Sequence, residues 1–310
     1  MSYNRFAQKF TRDTMTEIKS SPDKSYDYWV KLAALAATAT ALLLVLLKLY
    51  AWLVTDASSM LASATDSMLD LFASLMNVII LRYALAPADE NHKFGHGKAE
   101  SLAGLVQSAF VMGSSILLVV NGVQRLLVPQ PIVKSEVGIG VTVIAIIFTL
   151  LLVILQKFVI KKTGSVAIGA DALHYQSDIF LNVGVLAALL LSANNWPLAD
   201  GVFTIAVGLF LLWGAGQIIY LSVGSLMDRE LSEDELAKIQ KIVLDHSEAR
   251  GLHELRTRQS GPVRFIQFHL ELDDTIKLSV AHQIGNEIED EIMQALSPCE
   301  VLIHHDPVSP

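Results

Sequence analysis

Six apolar stretches, at approximately 29–54, 57–84, 99–128, 135–160, 165–192 and 197–222, are each near or above the roughly 20 residues a membrane-crossing helix needs. No other feature constrains the chain as strongly. Hydrocarbon offers backbone amides no partner, so spanning stretches must close their hydrogen bonds internally as helices. The second stretch is expected to be the weakest, because Asp66, Asp70 and several serines dilute it. Of the 310 residues, 52% are hydrophobic and only 17% charged, against roughly 25% in soluble domains. The sequence predicts a polytopic membrane protein with a water-facing part attached.

Basic residues orient the stretches. They gather in the polar first 27 residues, in the 85–98 loop and its approach (Arg82, Lys93, Lys98), and at the 157–162 turn (Lys157, Lys161, Lys162). The 193–196 loop holds none, and the 55–56 turn only Asp56. Both termini are therefore expected in the cytoplasm. Arg125 and Lys134, beside the remaining outer loop, run against this. Lys48, inside the first stretch, is expected to lay its stem along lipid and lift its ammonium to the interface. Gly113, Ser114, Ser115 and the glycines at 201, 208, 214 and 216 suit close helix packing.

From Val223 onward there are 17 acidic and 8 basic residues, a net of −9 against −8 for the whole chain, which argues against nucleic-acid binding. Ser232 and Glu235 form a capping box opening a helix to about Asp245. Strands are predicted at 252–259 and 263–272 around Ser260-Gly261-Pro262, a helix at 279–295, and a last strand from Glu300 to His304. The order α-β-β-α-β fits a small α+β sandwich. The expected domains are a 1–27 cytoplasmic tail, a 28–222 transport domain and a 223–310 cytoplasmic domain. Cys299 is the single cysteine, so no internal disulfide forms. The start lacks the pattern of a cleaved signal peptide.

Ionisable residues inside apolar stretches are costly and mark function. Asp66 and Asp70 are four apart, as are His174 and Asp178, so each pair stacks on one helix face. Antiparallel packing of the second and fifth stretches would bring one imidazole and three carboxylates together near mid-bilayer, a tetrahedral set for a divalent cation. Simple helix glue is a poor account, because three carboxylates without a cation repel. Asn77, Ser67, Asp171 and Gln176 are expected to pack helices or support the ligands. Asp89, His92 and His96 of the 85–98 loop form a second, more exposed candidate. A third comprises His253, His269, His282, His304 and Asp306, with His246 and His305 read as scattered surface histidines.

These residues resemble the cation diffusion facilitators, and most closely their bacterial zinc and ferrous-iron efflux branch. The likeness rests on Asp66-x3-Asp70, Leu173-His174-Tyr175-Gln176-Ser177-Asp178, Pro87-Ala88-Asp89, Gly95-His96-Gly97-Lys98-Ala99-Glu100 and Leu255-Arg256-Thr257-Arg258-Gln259-Ser260-Gly261. It runs from about Ser25 to the end; the long N-terminal tail and His305 depart from it. The resemblance implies six transmembrane helices, a metallochaperone-like cytoplasmic domain and a homodimer in a bacterial inner membrane. It implies a transport site of Asp66, Asp70, His174 and Asp178, a loop site of Asp89, His92 and His96, and a binuclear site of His253, His269, His282, His304 and Asp306. It also implies an inter-subunit charge interlock of Lys98 with Asp228. The expected activity is proton-coupled export of Zn²⁺, with Fe²⁺ and Cd²⁺ as further candidates, and no enzymatic function. An intramembrane zinc hydrolase would need His-Glu-x-x-His, which is absent. A tethered metal sensor without transport would leave the intramembrane pairs without a use.

Overall fold

The computed structural model describes residues 24–55, 58–127, 136–192 and 199–309. Most of the expected N-terminal tail, the Asp56 turn, Lys134 and the 193–196 loop lie outside these residues. Two compact units divide between Met227 and Asp228.

The first unit is helical: α1 (Lys24–Thr55), α2 (Ser58–Ala84), α3 (Lys98–Leu127), α4 (Glu136–Thr163), α5 (Val166–Ser192) and α6 (Ala199–Leu226). Among the described residues, five of these are long and apolar enough to cross a membrane. The sixth, α5, matches them in length, but Asp171, His174, Gln176, Asp178 and Asn182 lie along it. Of the five, α2 is the least apolar, as the sequence reading expects. Small residues let the helices approach: Val30, Ala33 and Ala34 of α1 meet Leu81, Val159 and Ile168 in one buried cluster. Gly208 lets α6 approach α3, since a Cβ there would lie 2.7 Å from Val119 Cγ2. Gly113 and Gly216 face open space, so the packing role expected for them is not seen.

The second unit contains α7 (Glu233–Asp245), β1 (Gly251–Ser260), β2 (Val263–Asp273), α8 (Leu278–Leu296) and β3 (Cys299–Val308). Its sheet runs β1-β2-β3, with β1 antiparallel and β3 parallel to the central β2. The parallel pair needs a crossover, which α8 supplies. Ile266, Phe268, Leu270 and Leu272 alternate toward one face of β2 and bury against Ile239 and Val243 of α7 and Ile284, Ile288 and Ile292 of α8. The opposite face of β2 carries Gln267, His269 and Glu271, with Phe265 at its start under the Arg258 guanidinium. The capping box forms: Ser232 Oγ accepts from the Glu235 amide, and the Glu235 carboxylate accepts from the Ser232 amide at 3.1 Å. Arg264 Nε donates to the same carboxylate at 2.8 Å. The last strand is longer than the 300–304 expected, because Pro307 sits on an edge strand, where a missing amide donor is tolerated.

Candidate metal centres

Among the described residues three groups could hold a metal ion, each with donor atoms within 4.8 Å of one another. The first joins two helices. Asp70 projects from α2, while His174 and Asp178 occupy successive turns of α5. His174 Nε2 lies 3.0 Å from Asp70 Oδ1 and 4.0 Å from Asp178 Oδ2. Asp66, one turn along α2, is exposed and outside this group, although its charge still acts on Asp178. The structure thus gathers three of the four predicted residues.

Around this group lies a polar frame only partly foreseen. Both carboxylate oxygens of buried Asp171 accept from amides, Gln107 at 2.9 Å and Gln156 at 2.7 Å. That ties α5 to α3 and α4 one turn from His174. Ser74 and Tyr175 share a hydrogen bond of 2.7 Å between α2 and α5. Gln176 instead bonds back along its own helix, to the Ala172 carbonyl. Asn77 is buried, with no partner for either side-chain polar atom among the described residues. Lys48 does not rise to the interface as expected: its Nζ donates to Ser67 Oγ at 2.7 Å. The burial of Ser67, in the position after Asp66, draws the amine inward.

Glu100, in the first turn of α3, also bears on this frame. Its buried carboxylate accepts from the Tyr26 hydroxyl at 2.6 Å, from Ser165, and from the amides of Val166 and Ala167. An anion at the first turn of α5 satisfies amides that the helix leaves open and complements its dipole. It also fixes the start of the ligand-bearing helix against α1 and α3.

In the 85–98 loop, Asp89 Oδ1 accepts from the amides of Asn91 at 2.9 Å and His92 at 2.6 Å. The His92 amide in particular holds the Asp89 carboxyl below the usual range. His92 Nδ1 lies 3.2 Å from Asp89 Oδ1, and His96 Nε2 lies 3.3 Å from Oδ2. His96 is nearly buried, and a proton on Nδ1 given to the Pro87 carbonyl at 3.2 Å would leave Nε2 free to bind a metal.

The third group crosses the sheet. His253 pairs with His269 between β1 and β2, and His269 with His304 between β2 and β3. The imidazoles therefore form a row, with ring centroids 5.0 and 4.6 Å apart. Asp306, two residues along β3 from His304, shares its face. One of its oxygens lies 2.7 Å from His269 Nδ1 and 3.2 Å from His253 Nε2; the other lies 3.2 Å from His304 Nε2. The hydrogen bond with His269 holds the Asp306 carboxyl below its ordinary range. His282, on α8, is not brought into this row within the chain and meets Asn286 instead.

Two carboxylates not foreseen border the row: Glu271 Oε1 lies 3.0 Å from His253 Nδ1, and Glu254 Oε2 lies 4.0 Å from His269 Nε2. Glu254 sits at a register shift in β1 with φ of 48°, a left-handed conformation no sequence pattern announced. His305 is not a scattered surface residue: it is half-buried over Gly285, and burial pushes its pKa down. His246, by contrast, meets Glu287 at 3.3 Å near the surface. Of the expected interlock, Lys98 Nζ donates to the Leu226 carbonyl at 3.3 Å in the first unit, and Asp228 pairs with Arg258 at 3.5 Å in the second.

Two family models match the chain, the cation efflux transmembrane domain over residues 34–227 and the cation efflux protein cytoplasmic domain over residues 231–308. The cation-efflux pump FieF of Shewanella oneidensis is 49% identical over 283 residues, 91% of this chain and 96% of the relative. FieF of Escherichia fergusonii is 47% identical over 287 residues, 93% and 96% of the two chains. A solved structure of CzrB in its zinc form is 29% identical, covers 26% of this chain and 92% of its own, and has a TM-score of 0.25.

Proposed function

We propose, from the premise that this chain belongs to the cation efflux family, that it exports Zn²⁺, and secondarily Fe²⁺ or Cd²⁺, from a bacterial cytoplasm in exchange for protons. It is a membrane transporter and not an enzyme, and its cytoplasmic dimer domain makes the working unit a homodimer. The observation that carries the reading is the meeting of Asp70, His174 and Asp178 within 4.8 Å inside an apolar helical bundle. Two carboxylates and an imidazole gathered at that depth are costly, and a bound cation would offset much of that cost.

Nitrogen-oxygen coordination suits zinc, and the borderline-soft imidazole favours it over harder ions. Asp66 would supply the fourth ligand by closing one turn of α2 onto the group. A metal needs neutral His174 and ionised carboxylates, so loading expels protons and protonation from the far side assists release. Rocking of helices around this fixed site would alternate its access.

Residues 28–222 would form the transport domain and 223–310 the cytoplasmic regulatory domain, with 1–27 as a tail and both termini in the cytoplasm of an inner-membrane protein. His253, His269, His304 and Asp306 have a donor set that fits zinc, and we assign them, with His282, to a regulatory binuclear site. Asp89, His92 and His96 would bind a further ion at the membrane surface, and Lys98 with Asp228 would form the inter-subunit interlock. Purified chain in proteoliposomes should move Zn²⁺ down its gradient and protons against it. Zinc flux without proton movement would overturn the exchange reading.

A further inference from the structure

Lys48 lies seven residues before the end of α1, about 10 Å along the helix axis. A lysine stem so placed could carry its ammonium toward the end of the bundle. It is instead held inward by Ser67 Oγ at 2.7 Å, and Ser67 is 1% exposed. Ser67 directly follows Asp66 and precedes Asp70 by three residues, so the amine is held at the turn of α2 that carries the acidic pair. Its charge is also felt at Asp178 on α5. Its charge therefore acts on at least one member of the proposed transport site.

A fixed cation beside a cation site acts in opposite directions in its two states. While the site is empty, one ammonium offsets the repulsion among Asp66, Asp70 and Asp178. Once a divalent ion has entered, the same ammonium opposes it. A transport site must bind and also let go, and this arrangement keeps binding from becoming too tight to reverse.

We propose that Lys48 is a resident counter-cation of the transport site, a positioning residue that steadies the empty acidic cluster and promotes metal release without coordinating the metal. The inference rests on the reading of Asp70, His174 and Asp178 as that site. It makes a prediction of unusual sign: loss of Lys48 tightens binding while slowing turnover. A residue that merely supports the helices would weaken binding when lost.

The test uses the full-length chain, with Asp89, His253, His269 and Asp306 replaced by alanine so that Zn²⁺ reports mainly the membrane site. In detergent, K48Q, which keeps a hydrogen-bond donor and removes the charge, should tighten Zn²⁺ binding about tenfold, the scale on which one nearby unit charge shifts an equilibrium. In proteoliposomes the same variant should lower flux at saturating zinc, and K48R should restore both quantities. K48M carries the same expectation should K48Q not give a folded dimer. Unchanged or weaker binding in the charge-removed variant, or K48R behaving like it, would overturn the role of Lys48. D70A in the same background separates the two claims. If D70A abolishes binding while K48Q leaves affinity unchanged, only the Lys48 inference falls; if D70A still binds as the parent does, the site reading fails and Lys48 with it.

Discussion

The intramembrane and cytoplasmic clusters use the same ligand types on opposite scaffolds. In the first, His174 and Asp178 stack by helical spacing on α5 and Asp70 comes from one neighbouring helix. In the second, His253, His269 and His304 come one from each of three strands and are aligned only by the sheet register. The first is enclosed by apolar helices, where an uncompensated charge is expensive. The second is more open to water, where charges are screened and a missing ligand can be replaced by solvent. The difference teaches that the two clusters should fail differently. The helical one should be intolerant of any loss, and the sheet one should degrade gradually.

The largest effect should come from Asp70→Ala. It removes one of three gathered ligands from a site without replacements, and zinc flux should fall to the background of empty vesicles while the dimer persists by chromatography. Near-normal flux in that variant would erase the contrast between the clusters. His174→Asp should leave transport but move its preference from Zn²⁺ toward Mn²⁺, since it removes the borderline-soft nitrogen. Paired fluxes of the two metals measure this, and an unchanged ratio would remove His174 from the ligand set.

A smaller effect is expected across the sheet. Replacing His269 and Asp306 together by alanine should reduce bound zinc per subunit and slow flux roughly fivefold, the low end of ordinary coupling between sites. Label-to-label distances between the two cytoplasmic domains, taken with and without zinc, should lose their zinc dependence in this variant. A zinc-independent distance already in the parent would make the domain a constitutive dimer contact.

The smallest effect concerns the frame of the cytoplasmic domain. Partial burial opposes ionisation of Glu235, but hydrogen bonds from Ser232 and Arg264 outweigh it and lower its pKa. A carboxyl lowered on folding stabilises the fold fully above its ordinary value, about 4.3, and that contribution disappears as pH falls through the lowered value. The protection of amides over Glu233–Asp245, taken relative to their intrinsic exchange at each pH, should therefore fall only in acid. Ser232→Ala should cost about 1 kcal/mol near neutral pH, as lost caps do. Protection that does not fall in acid would remove Glu235 from the account.

Much of the fold was legible because its signals are local. The capping box at Ser232, the alternation along β2 and the turn at Gly261-Pro262 depend on near neighbours in the chain. The pairs Asp66/Asp70 and His174/Asp178 were visible for the same reason, since four residues make about one helical turn. What spacing leaves out is which way a helix turns and what stands beside it. It therefore missed Asp66 lying outside the gathered group, Lys48 turning inward to Ser67, and Glu100 reaching Tyr26 and the start of α5. The Gln107–Asp171–Gln156 node joins three helices, and only the position of Asp171, three before His174, hinted at it. Glu254 and Glu271 border the sheet cluster through a bulge and a cross-strand pairing that the sequence does not display.

The central claim is that metal passes through the group formed by Asp70, His174 and Asp178. Its most direct test is zinc flux with simultaneous proton movement in proteoliposomes of the parent and of Asp178→Asn, which keeps the size of the side chain and removes its charge. The account predicts zinc and protons moving in opposite directions in the parent, and neither moving in the variant although it reconstitutes as a dimer. Undiminished zinc flux through Asp178→Asn would contradict it.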